Sequence, residues 1–225
     1  MKKLFLGVAA LGMMACNSSK PSDEETVKTE EAKEVNAESV KSNYAVVTDG
    51  NEIHWTGYAA VGDKSHEGYL QLKEGNFKVK GNKLVGGEFL IDMTTLENTD
   101  LPEEGKFNKA KLVGHLHSEA FFHTDSFPKS TFTVTNAMPR KNDSLGTTHL
   151  IEGNLELRGV EKSITFPANV VISKNSITIA SSEVTIDRTK WNVNYNSSAS
   201  MGDVAKDKLI DDKITLNIEL KAKKA

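Results

Sequence analysis

Gly86-Gly87-Glu88-Phe89-Leu90-Ile91-Asp92-Met93 carries its largest apolar residues two positions apart. In an extended chain successive side chains point to opposite faces, so Phe89, Ile91 and Met93 share one face. The segment reads as a strand buried on that face.

The same period runs outward from it. Thr131 to Ala137 sets Phe132 and Val134 together, and Glu152 to Arg158 turns Leu155 and Leu157 inward against Glu156 and Arg158. Ser163 to Ile172 carries Ile164, Phe166, Val170 and Ile172, with Pro167 marking a bulge or an edge. Ser176 to Arg188 gives Ile177 and Ile179, then Val184 and Ile186. Near the C-terminus Ile214, Leu216, Ile218 and Leu220 alternate with Thr215, Asn217 and Glu219. Turn signals separate these runs at Asp49-Gly50-Asn51, Lys73-Glu74-Gly75-Asn76, Lys80-Gly81-Asn82, Asn142-Asp143-Ser144 and Lys174-Asn175-Ser176. Their spacing predicts antiparallel neighbours. About eight to ten strands, each apolar on one face, make an all-β sandwich or barrel, and large inward residues favour a barrel that is either filled or open to a ligand.

One stretch breaks the period. Between Glu103 and Phe122, Phe107, Ala110, Val113 (or Leu112) and Leu116 recur at helical steps, which predicts one short amphipathic helix on or over the sheet. His115, His117 and His123 form an H-x-H-x5-H pattern. On a helix the first two point about 200° apart, which argues against a shared metal.

The N-terminus has another character. Lys2 and Lys3 precede an uncharged run from Leu4 to Ala15, too short to span a bilayer and suited to a signal peptide over residues 1–15. Met13-Met14-Ala15-Cys16 resembles a lipobox, so Cys16 is the expected lipid-attachment site; a plain signal peptide cleaved after Ala15 is the alternative. Cys16 is the only cysteine in 225 residues, which excludes an intramolecular disulfide. Residues 16–43 read as a charged, flexible tether with marginal helix around Thr29 to Val40: they hold no aromatic residue, seven acids and four lysines. As a coil this tether spans roughly 25–30 Å. Ser22-Asp23-Glu24-Glu25 reads either as a surface-export signal or as plain linker.

Residues 44–225 form the remaining domain. It carries 22 basic and 24 acidic residues with no basic stripe, which argues against nucleic acid as a partner.

Trp55-Thr56-Gly57, His66-Glu67-Gly68, the Gly86 to Met93 strand, Leu112 to Phe122 with Phe127 to Phe132, Gly153 to Val160, and Ile186-Asp187-Arg188-Thr189-Lys190-Trp191 follow one another along this domain. In this order these short motifs resemble those of the YceI-like, or polyisoprenoid-binding, family. His117 and His123 depart from the family's usual residues. The resemblance implies an extended, lipocalin-like antiparallel barrel of about eight strands with one short helix and a long apolar pocket for an isoprenoid or similar amphiphile.

The residues fit that chemistry on their own terms, because a long apolar ligand needs a lined tunnel with few polar contacts. Candidate ligand-binding residues are Trp55, Phe89, Ile91, Met93, Leu116, Phe121, Phe122, Phe132, Leu155, Leu157, Ile186, Arg188 and Trp191, with Val134 as a further inward residue. The competing reading is that these side chains fill a solid core. Arg188 and Arg158 are the candidates for a polar head group, set against ion pairs with Asp187 or Glu156, or stacking of Arg188 on Trp191. No G-x-S-x-G or H-E-x-x-H motif occurs. The expected protein is thus a non-enzymatic lipid binder without cofactor or metal. It is anchored in the envelope through Cys16, at the outer membrane, facing the periplasm or at the cell surface, and a homodimer is compatible with it. The other expectations are a solid-cored module for a protein partner and a metal-assisted enzyme using the histidines.

Overall fold

The computed structural model describes residues 26–35, 44–47, 50–141, 146–181, 183–197 and 208–225. The expected signal peptide, Cys16, most of the expected tether and the turn expected at Asn142-Asp143-Ser144 lie outside the described residues. In chain order the strands are β1 (Thr29–Glu31), β2 (Tyr44–Val46), β3 (Glu52–Ala59), β4 (Ser65–Lys80), β5 (Lys83–Asn98), β6 (Lys129–Pro139), β7 (His149–Leu157), β8 (Val160–Ile172), β9 (Ser176–Ser181), β10 (Val184–Asp187) and β11 (Ile210–Lys224). Among the described residues one α-helix, α1 (Lys109–His117), falls between β5 and β6, and a 3-10 turn covers Arg188–Trp191.

Antiparallel pairing closes a ring of eight strands, β3-β4-β5-β6-β7-β8-β9-β11 and back to β3. β2 continues the lane of β3 between β4 and β11, and β10 continues the lane of β9 along β11. Alternation explains the interior: Phe89, Ile91 and Met93 of β5, Leu155 and Leu157 of β7, and Ile177 and Ile179 of β9 are buried. The all-β barrel with one helix is the expected architecture.

Four local expectations change. First, Lys73-Glu74-Gly75-Asn76 is no turn: β4 runs through it, with a register shift between Leu72 and Glu74. Gly75 is there for a ring, since a Cβ would lie 2.6 Å from Phe89 Cδ1. Second, the expectation of a bulge or an edge at Pro167 narrows to the edge: it makes no bulge against β7 and lies where β8's other neighbour changes from β1 (residues 162–164) to β9 (residues 168–172). Third, Phe107 is off the helix. Asn108 caps α1, its side chain accepting from Lys111 N at 3.0 Å, and leaves Phe107 73% exposed in the preceding loop.

The fourth change concerns the tether. Residues 29–31, expected as marginal helix in a solvated linker, form β1 and pair with Ile164, Ser163 and Lys162 of β8. Val27 N donates to Thr185 O of β10 at 2.7 Å. The segment thus lies between β8 and β10. It is then clamped by Asn154, whose amide accepts from Lys33 N (3.0 Å) and donates to Lys33 O (2.7 Å). Asn154 is 2% exposed, so the clamp satisfies a buried amide that water cannot reach. Lys33–Glu152 and Lys162–Glu31 ion pairs flank it.

Candidate functional site

The barrel is hollow. An apolar cavity of about 380 Å³ lies between the ring and α1. β3 supplies Trp55, β5 supplies Ile91 and Met93, β7 supplies Leu155 and Leu157, and β10 supplies Ile186. α1 lays Leu112 and Leu116 across one end, followed by Phe121 and Phe122. Behind this cavity a second one of about 70 Å³ takes in Phe89 and Phe132. The residual exposure of Leu216 and Ile218 on β11 is explained by these spaces, which they line.

Of the thirteen residues picked from sequence, Trp191 alone lines neither cavity. It is wholly buried, and its indole N–H donates to Leu155 O at 3.0 Å, pinning the 3-10 turn to β7. Arg188 borders the cavity, but its fork is spent on the protein. Nε donates to Asp211 O (3.0 Å), Nη2 to Ile210 O (3.1 Å), and Nη1 to Val193 O. Asp212 completes the set at 3.3 Å, and the guanidinium lies 5.4 Å from the Phe121 ring centre. Burial works against its charge, while Asp212, Asp187 and Asp211 favour it. Neither Asp187 pairing alone nor stacking on Trp191 accounts for this residue. Arg158, with φ of 50°, donates instead to the carbonyls of Asn192 (2.7 Å) and Glu119 (2.8 Å), so Glu156 is not its partner and it lies off the cavity.

The histidines part company. His115 lines the cavity, with its ring edge-on to Tyr195 at 4.5 Å and Phe121 at 5.8 Å, and burial pushes its pKa down. His117 Nδ1 meets the Thr124 hydroxyl at 2.8 Å, and His123 Nε2 meets the Ser126 hydroxyl at 3.0 Å. Among the described residues no group of three or more His, Cys, Asp or Glu side chains is placed to hold a metal.

The polar end of the cavity came from residues that sequence reasoning missed. Lys64, His66, Lys208 and Lys213 border it, with Lys64 and Lys208 exposed, so the cavity opens to solvent there. His66 Nδ1 is 2.8 Å from Asp100 Oδ2. Burial resists ionisation of Asp100, but bonds from Glu67 N–H, His66 and Asn98 outweigh it and hold the carboxyl below its usual range. Ile53, two residues before Trp55, was readable by the period-two rule; the strand-end lysines carried no such signal.

The model of the YceI-like domain family matches residues 44–222. No curated protein sequence matches the chain. Among solved structures, BcnA of Burkholderia cenocepacia superposes with a TM-score of 0.54 at 15% identity, covering 78% of this chain and 98% of that one. A polyisoprenoid binding domain from Saccharophagus degradans, implicated in plant cell wall breakdown, gives 0.57 at 15% identity, covering 82% and 99%. At these identities the likeness is one of fold.

Proposed function

The chain belongs to the YceI-like family, and from that premise we propose that it is a non-enzymatic binding protein that holds a hydrophobic or amphiphilic lipid inside its barrel. The observation that carries this reading is the open, apolar cavity of about 380 Å³. That volume lies in the usual range of small-molecule sites, its lining is mostly apolar, and Lys64, His66, Lys208, Asp211 and Lys213 are among its polar residues. An apolar chain inside with a polar head near Lys64, His66, Lys208 and Lys213 matches that distribution. The solved relative described as a polyisoprenoid binding domain supports the choice of prenyl lipids and quinones as ligands to try. The solid-cored interaction module does not fit a hollow interior.

The same reading includes an envelope lipoprotein anchored through Cys16, with the barrel carrying, storing or protecting its lipid beside the membrane. Palmitate labelling, lost in Cys16→Ala, tests the anchor separately from the cargo.

Trp55 is a built-in reporter because it lines the cavity, whereas Trp191 is walled off from it. A quinone entering the barrel should quench tryptophan emission saturably, and Trp55→Phe should remove most of the quenching. A panel of prenols and quinones that neither quenches nor binds by calorimetry would refute lipid binding.

A further inference from the structure

The segment that holds β1 sits in a groove of the barrel wall. β8 makes one side: its residues 162–164 pair with β7 on one edge and with β1 on the other. β10 makes the second side, pairing with β11 on its far edge and accepting Val27 N–H at Thr185 O. Both sides lie within residues 44–222, the YceI-like domain, whereas the strand between them comes from before it.

The groove recognises this strand in three ways. It pairs with the backbone at residues 29–31, and the Asn154 amide, almost wholly buried, grips the Lys33 peptide through both N–H and C=O. It matches charge: Lys162 meets Glu31 at 2.6 Å, and Glu152 meets Lys33. It also takes one apolar side chain, since Val27 packs against the core. The pattern it fits is an extended segment with an apolar residue, an acid four positions on and a base two beyond that. Main-chain pairing of this kind gives affinity, and the side-chain contacts give selectivity.

The occupant is exchangeable. Thr29-Glu30-Glu31 has no apolar side chain, so leaving the groove exposes little apolar surface of its own, while the vacated edges of β8 and β10 need a new partner. Nine chain steps join Val35 to Tyr44, a reach of at most about 30 Å. A neighbouring groove within that reach can receive the segment. A second copy carries the same segment, so a mutual exchange keeps every contact and links the two molecules twice.

We propose that the groove between β8 and β10 is a peptide-binding site that takes residues 26–33 of a second copy in exchange for the chain's own, forming a strand-swapped dimer. The proposal is independent of what the barrel holds. The copy's own segment competes for the groove, so the exchanged form gains with protein concentration.

The test uses the full chain with Cys16→Ala, which removes its only thiol. Glu30 lies opposite Ser163, and antiparallel partners are about 4.5–5.5 Å apart at Cα, within disulfide reach. Glu30→Cys and Ser163→Cys, made in separate chains, mixed and oxidised, should give a dimer whose digest contains a 30–163 disulfide. Its yield should rise with concentration. Excess synthetic peptide of residues 26–35 should lower that yield at least fivefold, and the same peptide with Glu31→Lys and Lys33→Glu should not. Both cysteines in one chain provide the control, because closure within the chain shows that these variants fold with the strand docked. Closure there with no 30–163 bond between mixed chains overturns the exchange. Equal competition by the charge-swapped peptide overturns the groove's selectivity. Binding of the labelled parent peptide, by anisotropy, without any bond between copies would assign the groove to another protein's segment and overturn the dimer.

Discussion

Arg188 shows how far single residues could be read. Its guanidinium fork was legible as a device for oxygen acceptors, but not which acceptors, because the carbonyls of Val193, Ile210 and Asp211 reach it only through the fold. Arg188→Lys keeps the charge and loses the fork, leaving buried carbonyls without donors. It should cost about 2–4 kcal/mol of stability by denaturant unfolding. Weaker ligand binding with unchanged stability would return Arg188 to the head-group role. Trp191 was misread for a similar reason: its N–H is committed to Leu155 O. His115 gives a pH effect with a definite sign. Burial lowers its pKa in the folded protein, and His149 moves the same way for the same cause. As pH falls through about 6.5, the unfolded chain takes up protons that the folded one resists, so stability is full above that pH and declines below it. Thermal midpoints measured from about pH 8 down to about pH 5 should therefore fall, and His115→Phe should flatten the slope. A flat profile in the parent protein would contradict the burial of both imidazoles.

At the scale of elements, legibility followed periodicity. β5, β7 and β11 announce themselves because one face meets the interior and the other meets water, and α1 does so by its step of three and four. β1 could not be found this way. Thr29-Glu30-Glu31 has no apolar alternation and is a strand only because β8 and β10 leave backbone groups for it to pair with. Such a three-residue strand depends on its clamp. Asn154→Ala should strip both amide bonds to Lys33 and cost about 1–3 kcal/mol, with amide exchange rising first at residues 27–33 and 162–164. Unchanged exchange there would mean that the pairing does not need Asn154. β4 carries the opposite lesson. Lys-Glu-Gly-Asn has turn composition, yet its glycine serves the Phe89 ring across the sheet, a long-range demand that local composition does not disclose.

For the whole molecule, ring closure was readable and the hollow was not, since the same inward residues serve a filled or an open barrel. The docked segment also changes the geometry of the proposed anchor. Thr26, the first described residue and one bridged to the barrel, stands ten positions after Cys16. In any conformation ten residues reach at most about 35 Å, which would hold the barrel nearer the bilayer than the full tether could. Removing residues 26–35 should therefore weaken two properties at once, barrel stability and closeness to the membrane, the second measured by energy transfer from a barrel-bound dye to a bilayer dye. An unchanged transfer efficiency would show that the docked strand does not set the distance. The central claim is that the barrel holds a lipid, and native mass spectrometry of the protein purified gently from its own membranes tests it most directly. The account predicts a discrete mass increment that solvent extraction removes and identifies as an amphiphile with one apolar chain. A bare protein mass that stays bare after incubation with prenols, quinones and fatty acids would contradict it.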